Sequence, residues 1–150
     1  MNQIASEAVR LANTLLHGRR LERIERFEPP AGGWWFHFDG KVILTIETGW
    51  RLVSDTSIVV SNEDDSQIFG RKTAVDAAVE AMSHIADKSV SGVIIEPVCS
   101  DLTIHFGVTL HLEVINLSSR CEAWTLTGQG GLLLVGRNGD IVIFPGTAPK

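Results

Sequence analysis

The stretch DLTIHFGVTLHLEVINLSSRCEAWTL, residues Asp101 to Leu126, decides the fold. Leu102, Ile104 and Phe106 alternate with Thr103 and His105. After a short break, Leu110, Leu112 and Val114 alternate with His111 and Glu113. Side chains on a strand point to opposite faces with period two, so each run is predicted to bury one face and wet the other. With Gly107, Val108 and Thr109 as the connecting turn, Phe106 lies opposite Leu110 and Ile104 opposite Leu112. His105 then faces His111, and Thr103 faces Glu113. A register shifted by one would set His105 against Leu110 and mix the two faces, which selects the three-residue loop.

The same pattern occurs earlier, in WWFHFDGKVILTIETGWRL from Trp34 to Leu52. Phe36, His37 and Phe38 align with Ile104, His105 and Phe106, and Asp39-Gly40-Lys41 takes the place of the turn. Val42, Leu44 and Ile46 match Leu110, Leu112 and Val114. Trp50-Arg51-Leu52 matches Trp124-Thr125-Leu126. A repeat of this length is a whole supersecondary unit, and it divides the chain into two related halves, about 1–68 and 69–145.

The surrounding segments fit that plan. Residues 2–17 space Ile4, Ala5, Ala8, Leu11, Ala12, Leu15 and Leu16 as one helical face, closed by Gly18. Residues 19–27 read as a charged strand near a sheet edge, where charge discourages unwanted pairing. Pro29-Pro30-Ala31-Gly32-Gly33 is a loop before the first hairpin, at 34–47. The second face of that hairpin, Trp35, His37, Ile43 and Thr45, is either covered by a helix or open to a partner. Strands follow at 50–53 and 57–61, and then the acidic loop Asn62-Glu63-Asp64-Asp65-Ser66. A second helix is predicted over 72–86, capped by Thr73 with Asp76, its alanines allowing close approach to a sheet. Residues 89–97 repeat the charged strand's place. Further strands are predicted near 122–127, 131–135 and 140–143, with Asn138-Gly139 as a hairpin turn. The fold class is therefore α+β: two α-then-β-meander halves, their antiparallel sheets curled into a sandwich or half-barrel with the two helices packed on them.

At 150 residues the chain reads as a single domain. A hydrophobic content of 44% and a charge of 21% are those of an ordinary globule. No apolar run approaches the ~20 residues of a membrane helix, and no secretory leader is visible, so a cytoplasmic location is expected with no membrane partner. Cys99 and Cys121 lack metal-site spacing, and reduced, partly buried thiols fit them better than a bridge. Net charge is −5. The first thirty residues hold Arg10, Arg19, Arg20, Arg23 and Arg26 and are slightly basic, while the remainder is acidic. Such a chain is ill suited to gripping a phosphate backbone and better suited to a basic protein partner.

His105, His111 and Glu113, with Thr103 beside them, could place two imidazoles and a carboxylate on one face, the donor set of a transition metal. Alternating polar residues are equally what the wet face of a hairpin needs. Glu63, Asp64 and Asp65 offer a basic partner several carboxylates but lack the glycine and spacing of a calcium loop. Trp35 falls on the opposite face from Phe36 and Phe38 and is the candidate aromatic contact. A pocket between the halves, lined by Trp35 and His37, would suit a flat ligand. There is no nucleophile elbow, no phosphate loop and no dinucleotide fingerprint, so neither an enzyme nor a cofactor is expected.

WRLVSDTSIVVSNEDDSQIFG and DLTIHFGVTLHLEVINLSSRCEAW resemble blocks of a family of small uncharacterised bacterial proteins, over residues 34–126. The resemblance carries structural motifs and no catalytic residue. Some similar small acidic α+β proteins are immunity proteins that neutralise toxins delivered by neighbouring bacteria. That analogy implies a non-enzymatic protein whose Glu63, Asp64, Asp65 and Trp35 meet a basic toxin domain, as a monomer or a homodimer.

Overall fold

A computed structural model describes residues 3–137 and 140–146. Helix α1 (Gln3–Leu16) opens the first half, followed by β1 (Leu21–Arg26), β2 (Trp34–Phe38), β3 (Val42–Ile46), β4 (Gly49–Val53) and β5 (Ile58–Ser61). The second half repeats the order with α2 (Ala77–Ile85), β6 (Val90–Ile95), β7 (Leu102–Phe106), β8 (Leu110–Ile115), β9 (Glu122–Thr127) and β10 (Leu133–Arg137). It then adds β11 (Asp140–Phe144). The chain is α+β, with every strand in one of two antiparallel sheets.

The halves exchange strands. One sheet runs β1-β2-β3-β9-β10-β11 and the other β5-β4-β8-β7-β6, so each takes three strands from one half and its next strands from the other. Trp50 of β4 lies opposite Val114 of β8, and Trp124 of β9 lies opposite Ile46 of β3. These are the same two positions with the halves traded. The hairpin registers are those of the three-residue turn: Phe106 with Leu110, His105 with His111, Phe38 with Val42 and His37 with Ile43. β1 and β6 carry the same bulge, between Leu21 and Arg23 and between Val90 and Gly92. Their leading residues, Arg20 and Ser89, pair with each other where the two halves meet.

Phe36, Leu44, Ile104 and Leu112 are fully buried, as are Trp50 and Trp124. Phe38 and Phe106 stack across the junction, 6.4 Å apart and nearly parallel. The sandwich interior between the halves is thus filled with side chains, which burial of the alternating apolar faces requires.

The helices run against edge strands of the sheets: α1 against β6 and β11, and α2 against β1 and β5. Asn13 of α1 donates to Val93 O at 3.0 Å and accepts from Val93 N at 3.0 Å, so its amide continues the ladder and closes the β6 edge. The N-terminus of α2 differs from the sequence expectation. The helix begins at Ala77 rather than 72, and its cap is Asp76, whose carboxylate accepts from Val79 N at 3.1 Å; Thr73 lies outside the helix. Val75 explains the shift, because it is buried and its N–H and C=O bond to Gln67 and Ser66, which keeps residues 72–75 out of the helix. The predicted turn at Asn138-Gly139 lies outside the described residues. Among the described residues, no helix is long and apolar enough to cross a membrane.

Candidate functional site

The acidic turn is built by its own carboxylates. Asn62–Asp64 form one helical turn after β5, in which Asp64 accepts from Ser61 N at 2.9 Å and Ser61 Oγ accepts from Glu63 N at 3.2 Å. This reciprocal capping satisfies N–H groups that the turn itself leaves open. Asp65 reaches across to β1: Arg26 Nε donates to its Oδ2 at 2.7 Å, and Arg26 Nη2 donates both to its Oδ1 and to Asp76 Oδ1, the latter at 2.7 Å. Asp65 also accepts from Ala77 N at 2.9 Å. One guanidinium therefore clamps the acidic turn to the N-terminus of α2, and it lies 4.9 Å from the Trp34 ring centre. The bonds from Arg26 hold the Asp65 and Asp76 carboxyls below their ordinary range, and the paired carboxylates raise Arg26 in turn.

Of the three acidic residues singled out from the sequence, Asp64 and Asp65 are half-buried and engaged within the chain, while Glu63 is exposed. Trp35 is 37% exposed on the outer face of the six-stranded sheet, its ring 4.3 Å from that of Phe27. Through Arg26, which pairs with Trp34 in the β1–β2 ladder, the acidic turn is tied to the Trp34 side of that ladder, while Trp35 lies opposite Glu25 on its other face.

The sequence reading missed the segment that follows. Ser66 N donates to Val75 O and Val75 N to Gln67 O, both at 2.8 Å, pinching residues 67–75 into a closed loop. At its tip Arg71 N donates to Ile68 O at 2.8 Å, with Phe69 at φ 47° and Gly70 at φ 73°. Positive φ at both central residues is the pattern of a type I′ turn, a geometry that asparagine and glycine normally supply. A bulky residue there costs roughly 1–2 kcal/mol. Ile68 is 56% exposed and Phe69 67%. The readable signal was Ile68-Phe69-Gly70, an apolar pair and a turn glycine belonging to neither a period of two nor one of 3.6.

His105 and His111 face each other on the outer face of the five-stranded sheet, ring centres 5.4 Å apart. Glu113 is shared between Arg51, at 3.3 Å, and His111, at 3.6 Å. Burial, and then His111, push His105 below its ordinary 6.5. Among the described residues, no three His, Cys, Asp or Glu side chains converge as metal ligands. Cys99 and Cys121 are free and exposed, not partly buried as expected.

His37 borders a surface groove with Glu22, Arg23 and Lys41, a lining that does not include Trp35, and its Nε2 lies 2.6 Å from Glu25 Oε1. A cleft of about 480 Å³ that draws on both halves lies between the β4–β5 turn and α2, lined by Ile58, Val59, Glu80, His84, Lys88 and Leu110. At the corresponding place in the other half, Leu15 packs so tightly on Gly128 that no side chain would fit there, and Arg19 fills the space over Gly40.

No family model, curated protein or solved structure matches this chain.

Proposed function

We propose that the chain is a non-enzymatic binding protein, in its most specific form a cytoplasmic bacterial immunity protein that occludes a cognate toxin. The observation that carries this reading is the bracing of one end of the molecule. The Arg26 clamp fixes the acidic turn and the start of α2 in place over Trp34, while Glu63 on that turn and Trp35 on the outer face of β2 remain exposed. Side chains displayed on braced backbone lose little freedom on binding, and an acidic chain associates quickly with the basic cleft of a nuclease toxin. Asp64 and Asp65 contribute by shaping the turn, so of its three carboxylates the one free to meet the partner is Glu63. The test is binding to a toxin domain encoded beside the gene. Glu63→Gln with Trp35→Ala should weaken that complex about tenfold or more, the scale of losing an interface anchor. Unchanged affinity, or no complex at all, would refute the reading.

A second reading rests on the cleft at Ile58, His84 and Leu110, which is open in one half and filled in the other. Such asymmetry suits a small ligand with an apolar body. It predicts that Leu110→Trp, which fills the cleft, abolishes ligand binding without disturbing the complex with a toxin.

A further inference from the structure

We propose that the loop tip Ile68-Phe69-Gly70-Arg71-Lys72 enters a protein partner, and that the receiving surface is an apolar pocket with carboxylates on its rim. The inference deepens the binding reading and rests on it.

Four features of the loop converge. Ile68 and Phe69 are the most exposed pair of adjacent large apolar residues among the described ones, and Phe69 makes no ring contact with any other described aromatic residue. They are held out by order: the loop is closed at its base by the Ser66–Val75–Gln67 bonds and anchored by buried Val75 and by Asp65. Phe69 occupies a backbone conformation that disfavours it while two-thirds of it stays exposed, and such outliers concentrate at functional sites. Arg71 and Lys72 follow at once, both exposed. Arg10, Arg19, Arg23, Arg26, Arg51 and Lys88 have carboxylate partners, whereas among the described residues Arg20, Lys41, Arg71, Lys72, Arg120 and Arg137 have none, and of these only Arg71 and Lys72 are neighbours in sequence. An aromatic anchor beside an unpaired arginine is the composition of an interface centre, and two free cations call for acidic groups around the pocket.

The duplication sharpens the point. In the second half β10 is followed directly by β11, which pairs with it, so the fold itself needs no protruding loop at this place. A protein pocket is favoured over a lipid surface on two grounds. Two side chains bury less than a single acyl chain, which by itself attaches only marginally, and a net charge of −5 opposes anionic headgroups.

The test places a photo-crosslinking benzoylphenylalanine at position 69 of the full chain in the cells that make it, with the same residue at Val108 as control. Val108 is 98% exposed on the β7–β8 turn. The inference expects one discrete protein adduct from position 69 and none from 108. The adduct should map to a pocket rimmed by Asp or Glu and fall about fivefold or more when Arg71→Glu and Lys72→Glu are added. Phe69→Asn, which suits the turn, should prevent the complex without lowering Tm. Lipid adducts, no adduct, equal labelling from both positions, or labelling indifferent to charge reversal would overturn it. An adduct with a protein that is not a toxin would sink the immunity reading and leave the loop assignment standing. A toxin complex that depends on Glu63 and Trp35 but gives no adduct at 69 would do the reverse.

Discussion

After β5 the first half turns away through Asn62–Asp64 into a closed loop and then α2, whereas after β10 the second half adds β11 to the same sheet. Upstream of that point the halves share the register of their first hairpins, the bulge in β1 and β6, and a tryptophan set opposite the other half's third strand, although the β4–β5 and β9–β10 ladders bulge at different places. Coincidence follows the side chains that face the core, because both halves must fill one interior. Divergence falls where the chain is free of that demand, and there the first half spends strain on Phe69 and exposes it. The difference separates residues kept for folding from residues available for contact.

The comparison is most easily broken at its core. Leu44 and Leu112 occupy matching, fully buried positions, so Leu44→Ala and Leu112→Ala should each cost about 2–5 kcal/mol and agree with one another. Urea denaturation of the two variants measures this. A mild loss at one and a severe loss at the other would mean that the halves support the core unequally.

The tryptophans test a smaller difference. Trp124 Nε1 donates to Ser100 O at 2.7 Å, while Trp50 Nε1 is buried with no hydrogen-bond partner among the described residues and its ring packs edge-on against Trp34 and Phe36. Trp124→Phe orphans a carbonyl at fully buried Ser100, and Trp50→Phe removes an unused donor. Trp124→Phe should therefore be the more destabilising by about 1–3 kcal/mol, and equal losses would show that the indole bond adds nothing.

The outer faces diverge as well. His105 faces His111, whereas His37, its counterpart, faces Ile43. Burial and His111 disfavour the proton on His105, so the unfolded chain binds it more readily than the folded one. That contribution to stability is complete above His105's ordinary 6.5 and is lost as pH falls below it. His105→Gln should flatten the dependence of unfolding free energy on pH between about 5 and 7. An unchanged slope would assign the titration elsewhere.

Hairpin register, burial and the duplication were legible because each depends on a period of two and a turn a few residues long. The strand exchange was not. Trp50 opposite Ile46 and Trp50 opposite Val114 are chemically equivalent pairings, so local pattern cannot choose between a meander that keeps its fourth strand and one that trades it. At the site, Trp35 was legible from its face. Asp64 and Asp65 read as solvated charge because Arg26, the partner that engages Asp65, is 39 residues away in sequence. Phe69 was passed over because an apolar residue outside any periodic run reads as loose core, and only its left-handed backbone and its exposure reveal a displayed side chain.

The claim that this loop displays Phe69 for contact, and does not use it to fold, is tested most directly by the unfolding free energy of Phe69→Asn. Asparagine tolerates the positive φ and removes the exposed ring. The account expects stability unchanged or raised, by up to about 1 kcal/mol, as backbone strain is relieved. A loss of more than about 1 kcal/mol would place Phe69 among the residues that hold the fold together and contradict the account.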